Sequence, residues 1–141
     1  MNKQQELFVK KITENSLMQS VFNYKMRIVV AAQFALESNW GKSKIATENS
    51  NLCGMKMPKT RPTTAKAERN GYAAYLNEYD CIVDYVIWIM WGRPYFKKLW
   101  HLDNYMQYLK EKNYSEDENY DAKVEAIYNE IYEHLKQKNN D

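Results

Sequence analysis

The sequence of 141 residues is poor in the residues that cross-link a chain or bind metals, with two cysteines and two histidines. Cys53 and Cys81 show no CxxC spacing and no adjacent histidine, so we expect no metal ion and no cofactor. We expect two buried free thiols, with a disulfide between them as the alternative. No run of about 18 apolar residues occurs, so no membrane-spanning helix is predicted.

An excess of one charge is also missing. The 20 basic and 18 acidic residues are interspersed and leave a net charge of +2. Domains that bind nucleic acid usually carry a clustered basic face. The sequence therefore does not indicate a nucleic-acid partner.

Glycine and proline are scarce and confined to the middle of the chain. All four glycines and all three prolines lie between residues 41 and 94. Because these residues interrupt regular structure, both flanks are predicted to be helical and the centre irregular. With 45% hydrophobic residues, the whole chain, 1–141, is predicted to form one domain with one core.

Apolar residues recur at helical spacing in several segments. This spacing predicts helices over residues 4–19, 24–38, 42–48 and 77–91, one or two helices over 95–112, and a last helix from a capping box at Ser115 and Glu118 to about residue 137. The Asn70-Gly71 pair between two short runs predicts a β-hairpin in a small lobe of about residues 57–76.

One carboxyl group stands in a chemically unusual position. An almost wholly apolar run from Ile28 to Leu36 ends in Glu37, and the polar turn Ser38-Asn39-Trp40-Gly41 follows at once. Partial burial at the end of a core helix disfavours the charged form of a carboxyl and raises its pKa. A carboxyl with a raised pKa can donate a proton near neutral pH. Glu37 is therefore predicted to be a general acid.

The same stretch carries a family signature. ALESNWGKS at 35–43, followed by NSNLCGMK at 49–56, resembles the ALES-x-WG-x-S…NNLFGIK pattern of bacterial glucosaminidases, family 73 of the glycoside hydrolases. Weaker similarity extends from about residue 6 to residue 135. The resemblance implies a mainly α (α+β) fold, a lysozyme-like helical domain with a small β-hairpin lobe, and hydrolysis of peptidoglycan.

The resemblance also implies roles for individual residues. Glu37 occupies the general-acid position of the family, and Glu68, before the hairpin turn, is the best candidate for a second carboxylate. Glu78 and Asp80 are weaker candidates because they suit the N-terminus of a helix. A substrate acetamido group that assists the reaction is a further alternative.

Aromatic and amide side chains are the expected sugar contacts. The family blocks place the following residues along the cleft: Trp40, Asn51, Tyr72, Tyr75 and Tyr95. Capping of nearby backbone is an equally good interpretation of Asn51. Asp84 is predicted to bond a nearby loop, and Cys53 stands where the family usually has Phe.

Together these observations predict an endo-β-N-acetylglucosaminidase that cleaves β-1,4 bonds in peptidoglycan glycan strands. A muramidase or lytic transglycosylase, and a non-catalytic wall-binding or assembly module, are the alternatives. The first residues contain no apolar signal core. We therefore expect the protein to reach the bacterial wall, in the periplasm or outside the cell, by phage delivery, within a longer exported chain or after removal of a leader. We also expect it to be a monomer.

Overall fold

The computed structural model describes residues 1–91, 105, 111 and 117–139. Its helices and strands follow the order α1 (Lys3–Thr13), α2 (Ser16–Val21), α3 (Tyr24–Ser38), α4 (Lys44–Asn49), β1 (Ala67–Arg69), β2 (Tyr72–Ala74), α5 (Glu78–Trp91) and α6 (Tyr120–Asn139). The mainly helical, lysozyme-like architecture with a small antiparallel hairpin confirms the predicted fold class.

The prediction of one continuous helix over residues 4–19 is wrong. The chain forms α1 and α2 instead, separated at Glu14 and Asn15. The Asn15 side chain accepts a hydrogen bond from the backbone N–H of Met18 and so caps the second helix. Asparagine competes with the helical backbone in this way, and local capping here overrides the apolar periodicity.

Helix α3 has the predicted bounds and forms the centre of the core. It begins at an N-cap, Asn23, and is buried almost all round from Ile28 to Ala35. It packs most extensively against α6 and then against α1. Burial on all sides explains the nearly unbroken apolar run, because no face of the helix meets water.

The chain leaves α3 through a strained turn. Asn39, Trp40 and Gly41 all adopt left-handed backbone conformations, with φ of 49°, 56° and 81°. Such φ values are unfavourable for residues other than glycine. The Ser38 hydroxyl supports the turn by accepting a hydrogen bond from the N–H of Gly41 at 2.8 Å and donating one to the Phe34 carbonyl at 2.6 Å.

The predicted hairpin is confirmed, although its strands have only three residues each. Asn70 and Gly71 form the turn with φ of 57° and 82°, as an Asn-Gly hairpin requires. Ala67 pairs with Ala74, and Glu68 with Ala73. The lobe is joined to the helical part through the buried Asn49, whose side-chain amide donates to the Arg69 carbonyl at 2.7 Å.

The last two described helices complete the core. Helix α5 contributes Ile82, Tyr85 and Ile89, and α6 contributes Val124 and Ile131. Helix α6 begins at Tyr120, which is later than the start predicted from the capping box. Ser115 of that box lies outside the described residues. The helices predicted over 95–112 also lie outside them, apart from Tyr105 and Glu111, which are both helical.

Candidate active site

Glu37 lies in the last turn of α3 and is half-buried. The loop of residues 50–55 passes directly over its carboxyl group. A Cβ atom placed on Gly54 would lie 2.6 Å from Glu37 Oε2, and Gly54 has a φ of +70°. Only glycine satisfies both the backbone conformation and the close approach. Gly54 therefore sets the distance between the loop and the carboxyl.

The surroundings of Glu37 favour its protonated form. Burial raises the pKa of the carboxyl from an ordinary 4.5 to about 7, while the nearby Tyr120 hydroxyl acts in the opposite direction. Desolvation is the dominant cause because it penalises the charged carboxylate. Near neutral pH both the protonated and the deprotonated form of the Glu37 carboxyl are therefore populated, as a general acid requires.

Tyr120 is a contact of Glu37 to which the sequence analysis gave no role. It is the buried first residue of α6, and its hydroxyl lies close enough to Glu37 and Gln33 for both to affect its pKa. Burial and the charge of Glu37 raise the pKa of Tyr120. The phenol therefore keeps its proton throughout the neutral range.

Gln33 is a second residue that the sequence analysis passed over. It is fully buried, one helical turn before Glu37. Its Oε1 atom accepts hydrogen bonds from Tyr85 Oη at 2.6 Å and from Tyr105 Oη at 3.1 Å. A signal was present in the sequence, since Gln33 is a lone amide inside an apolar run.

Asn51 organises the loop over Glu37. Its Oδ1 atom accepts from three backbone N–H groups, including that of Gly54 at 3.0 Å, and its Nδ2 atom donates to the carbonyls of Met55 and Ala73 at 2.9 Å each. Only 1% of Asn51 is exposed. The structure thus shows the backbone-capping role, and the expected sugar contact of Asn51 stays a prediction.

Tyr75 belongs to a buried polar cluster behind the hairpin. Its hydroxyl donates to Asp84 Oδ2 at 2.5 Å, and Arg61 binds the same carboxylate with both terminal nitrogens, at 2.7 Å and 3.3 Å. Burial raises the pKa of the Tyr75 hydroxyl. The predicted bond between Asp84 and a nearby loop is confirmed, because Arg61 lies in the loop before β1. A sugar contact of Tyr75 stays a prediction.

The hairpin carries two further predicted site residues. Glu68 is exposed on β1, opposite the buried Ala73 of β2, and Tyr72 is half-buried on β2. The weaker candidates lie in the first turn of α5, where Glu78 pairs with Lys11 at 2.8 Å. The role of Glu68 as second carboxylate and that of Tyr72 as a sugar contact stay predictions.

Trp40 packs against α1, and its role as a sugar contact stays a prediction. Its ring meets Phe8 of α1 edge-on, with ring centroids 6.1 Å apart. Both rings line a shallow hollow of about 430 Å³ with Lys3, Gln4, Leu7, Lys11, Gly41 and Glu78. Tyr95, the last predicted sugar contact, lies outside the described residues.

Other kinds of site find little support in the described part of the chain. No three side chains among its His, Cys, Asp and Glu residues are placed to share a metal ion. None of its helices combines the length and apolarity needed to cross a bilayer. Cys53 and Cys81 are buried free thiols with sulfur atoms 3.4 Å apart.

A carboxyl group with a raised pKa is the proton donor that glycoside hydrolases use. The sequence comparison gives the family. Residues 19–133 match the sequence model of the glucosaminidases, described as mannosyl-glycoprotein endo-beta-N-acetylglucosaminidase. The chain belongs to this family, and the resemblance noted in its sequence is confirmed.

Two individual proteins are similar to the chain. The protein Bax of Escherichia coli (strain K12) is 38% identical over 77 residues, which cover 55% of this chain and 28% of Bax. The chain thus spans little more than a quarter of that relative. The catalytic domain of the autolysin Auto from Listeria monocytogenes has a similar structure, with a TM-score of 0.65 and 22% identity over 92% of this chain and 85% of that one.

Proposed function

We propose that the protein is an endo-β-N-acetylglucosaminidase that cleaves β-1,4 bonds in the glycan strands of peptidoglycan, with Glu37 as general acid. The observation that carries the proposal is the half-buried Glu37 carboxyl, with a pKa of about 7 and no room for a side chain at Gly54. Membership in the glucosaminidase family and structural similarity to an autolysin domain support the substrate class.

In the proposed reaction, Glu37 transfers its proton to the glycosidic oxygen as the bond to N-acetylglucosamine breaks. The resulting carboxylate is stabilised by the Tyr120 hydroxyl, which acts on the charged form. This contact strengthens as charge develops on Glu37, which is the condition for lowering a barrier. We therefore include Tyr120 in the proposed site as a residue that stabilises the Glu37 carboxylate after proton transfer.

A second group must activate water or stabilise the sugar cation. Glu68 is the proposed candidate, because the exposed β1 strand presents it to solvent where a water molecule can reach it. Assistance by the substrate acetamido group is the alternative that leaves Glu68 dispensable. The wall strand would be the partner, reached in the periplasm, outside the cell or from a phage particle.

The test is digestion of purified peptidoglycan followed by mass spectrometry of the fragments. Wild type should release strands that end in reducing N-acetylglucosamine. Glu37→Gln should lower the rate about 100- to 10,000-fold, while Glu125→Gln, the same change on the exposed surface of α6, should leave it unchanged. Glu68→Gln separates an essential second carboxylate from assistance by the substrate.

Three results would contradict the proposal. Reducing muramic acid would indicate a muramidase, and an anhydro product would indicate a lytic transglycosylase. Binding of wild type to the wall without any cleavage would indicate a non-catalytic module.

A further inference from the structure

Cys53 and Cys81 form a pair that the proposed reaction does not use. They are the only two cysteines of the chain, and they lie in the loop of residues 50–55 and in α5. Both residues have 0% exposure, and their sulfur atoms lie 3.4 Å apart. Because they are 28 positions apart in the sequence, only the tertiary fold brings them into contact.

The neighbouring backbone and side chains hold the two sulfur atoms close to each other. The Leu52 backbone N–H donates to Cys81 Sγ at 3.3 Å, and the Cys53 thiol donates to Asn51 Oδ1 at 3.6 Å. The sulfur–sulfur bond of a disulfide is about 2 Å long. The two atoms therefore need to approach by only about 1.4 Å to reach bonding distance.

We propose that Cys53 and Cys81 form an intramolecular disulfide when the chain folds in an oxidising environment. Because Cys53 directly precedes Gly54, the bond ties the loop over the Glu37 carboxyl to α5. It also closes the segment 53–81, which contains the whole hairpin lobe. The oxidising environment rests on the proposed function at the bacterial wall, where disulfides persist, but the geometry of the pair does not.

The oxidant is a second disulfide, and glutathione disulfide is the one used in the test. One cysteine thiolate attacks it, forms a mixed disulfide and releases one glutathione thiolate. The other cysteine thiolate attacks the protein sulfur of the mixed disulfide and releases the second glutathione thiolate. In total the two protein thiols lose two protons and two electrons, and glutathione disulfide takes them up to become two molecules of glutathione.

This exchange should take place before the pair is buried. The attacking group must be a thiolate, and burial raises the pKa of the Cys53 thiol well above its ordinary value. Glutathione disulfide also cannot reach two sulfur atoms that have no exposed surface. The folded, reduced protein should therefore oxidise slowly, whereas the refolding chain should oxidise readily.

The test refolds the full chain from denaturant in a mixture of oxidised and reduced glutathione. Mass spectrometry should show the loss of two hydrogen atoms, and digestion should yield a cross-linked peptide pair that contains Cys53 and Cys81. Closing a segment of about 30 residues should raise the melting temperature by about 10 °C over the same protein refolded with a reductant. Two thiols that still react with an alkylating agent, or glutathione adducts on them, would overturn the proposal.

The matched control is the double variant Cys53→Ala/Cys81→Ala. It cannot form the bond, so its melting temperature should be the same after refolding in either buffer. An equal rise in the double variant would show that the buffer, and not the bond, stabilises the protein. The comparison of wild type in two redox states needs no substitution, so the test holds even if the double variant does not fold.

The folded protein provides a test of the timing. Wild type that is folded with a reductant and then placed in the same glutathione mixture should form the bond at least about tenfold more slowly than the refolding chain. Equal rates would contradict closure before burial.

The mass measurement does not depend on hydrolysis, so the two proposals can fail separately. If no bond forms while wild type releases reducing N-acetylglucosamine, only the disulfide is wrong. If the bond forms and neither redox state cleaves peptidoglycan, only the proposed function is wrong. If both proposals hold, the oxidised protein should retain hydrolysis to a temperature about 10 °C higher than the reduced protein does.

Discussion

Glu37 and Asp84 are two acidic side chains that the fold removes from water in opposite ways. Asp84 lies in the middle of α5 with 0% of its side chain exposed, and Arg61, itself 7% exposed, binds both of its oxygens. Glu37 lies at the end of α3 and is half-buried. Among the ion pairs within the described residues, none involves Glu37.

The difference shows that burial alone does not make an acid chemically active. The guanidinium of Arg61 compensates the charge of Asp84, and the cluster joins the loop before β1 to α5. Glu37 has a hydroxyl as its partner instead of a cation, so burial shifts its pKa upward and the proton is retained. A buried carboxyl with a cation is a structural contact, whereas one with a neutral donor and access to solvent can exchange protons.

Removal of the Arg61 guanidinium should have the largest effect on stability. Arg61→Leu leaves Asp84 buried without a compensating charge, and we expect the free energy of unfolding to fall by about 3–5 kcal/mol. Chemical denaturation at neutral pH measures the change. Asp84→Leu in the same chain should recover much of the loss, because the uncompensated charge is then absent.

The matched control for this change is Arg69→Leu. Arg69 lies on the exposed hairpin strand and donates to the Glu48 carbonyl at 2.9 Å. An exposed arginine of this kind contributes little, so the loss should stay within about 0.5 kcal/mol. Equal losses for the two arginines would mean that the Asp84 cluster does not hold the fold together.

The pH dependence of stability should reveal the proton that Glu37 retains on folding. Because the pKa of Glu37 rises from 4.5 to about 7 on folding, the folded state holds this proton more tightly than the unfolded state does. Stability should therefore decrease as the pH rises through this interval and stay level above it. Partial solvent access reduces the expected loss to about 2 kcal/mol.

The difference between wild type and Glu37→Gln isolates this contribution, since other titrating groups affect both proteins. The two should be about equally stable near pH 4, and the variant should be more stable by about 2 kcal/mol near pH 8. A difference that does not change with pH would show that Glu37 titrates alike in both states. A large loss in Glu37→Gln at every pH would make the residue structural.

The elements that the sequence predicted well are those with local causes. Helix α3 has the predicted bounds because an apolar run lies between the cap at Asn23 and the left-handed turn at Asn39. The hairpin follows from Asn70-Gly71, whose φ values suit few other pairs. The break between α1 and α2 was also local, but the capping side chain of Asn15 gives a weaker signal than the apolar periodicity around it.

The site was only half predictable for a different reason. Glu37 could be found because the apolar run and the turn surround it in the sequence. Gly54 and Tyr120 reach it from a distant loop and from the start of α6. Contacts of this kind depend on tertiary packing, which periodicity does not encode. Gln33 was an intermediate case, since its polarity was visible but its partners were not.

The smallest of the expected effects concerns Gly54, in the loop that passes over the Glu37 carboxyl. Gly54→Ala forces a left-handed φ of +70° on a residue with a Cβ, and that Cβ would lie 2.6 Å from Glu37 Oε2. We expect a loss of about 1–2 kcal/mol in stability and about a tenfold loss of glycan hydrolysis, because the carboxyl must move. Gly71→Ala is the matched control, since Gly71 has a φ of +82° but no atom within 4 Å of the added Cβ. It should show a similar loss of stability and full activity, and a comparable drop in activity in both variants would show that backbone strain, and not crowding of the acid, is the cause.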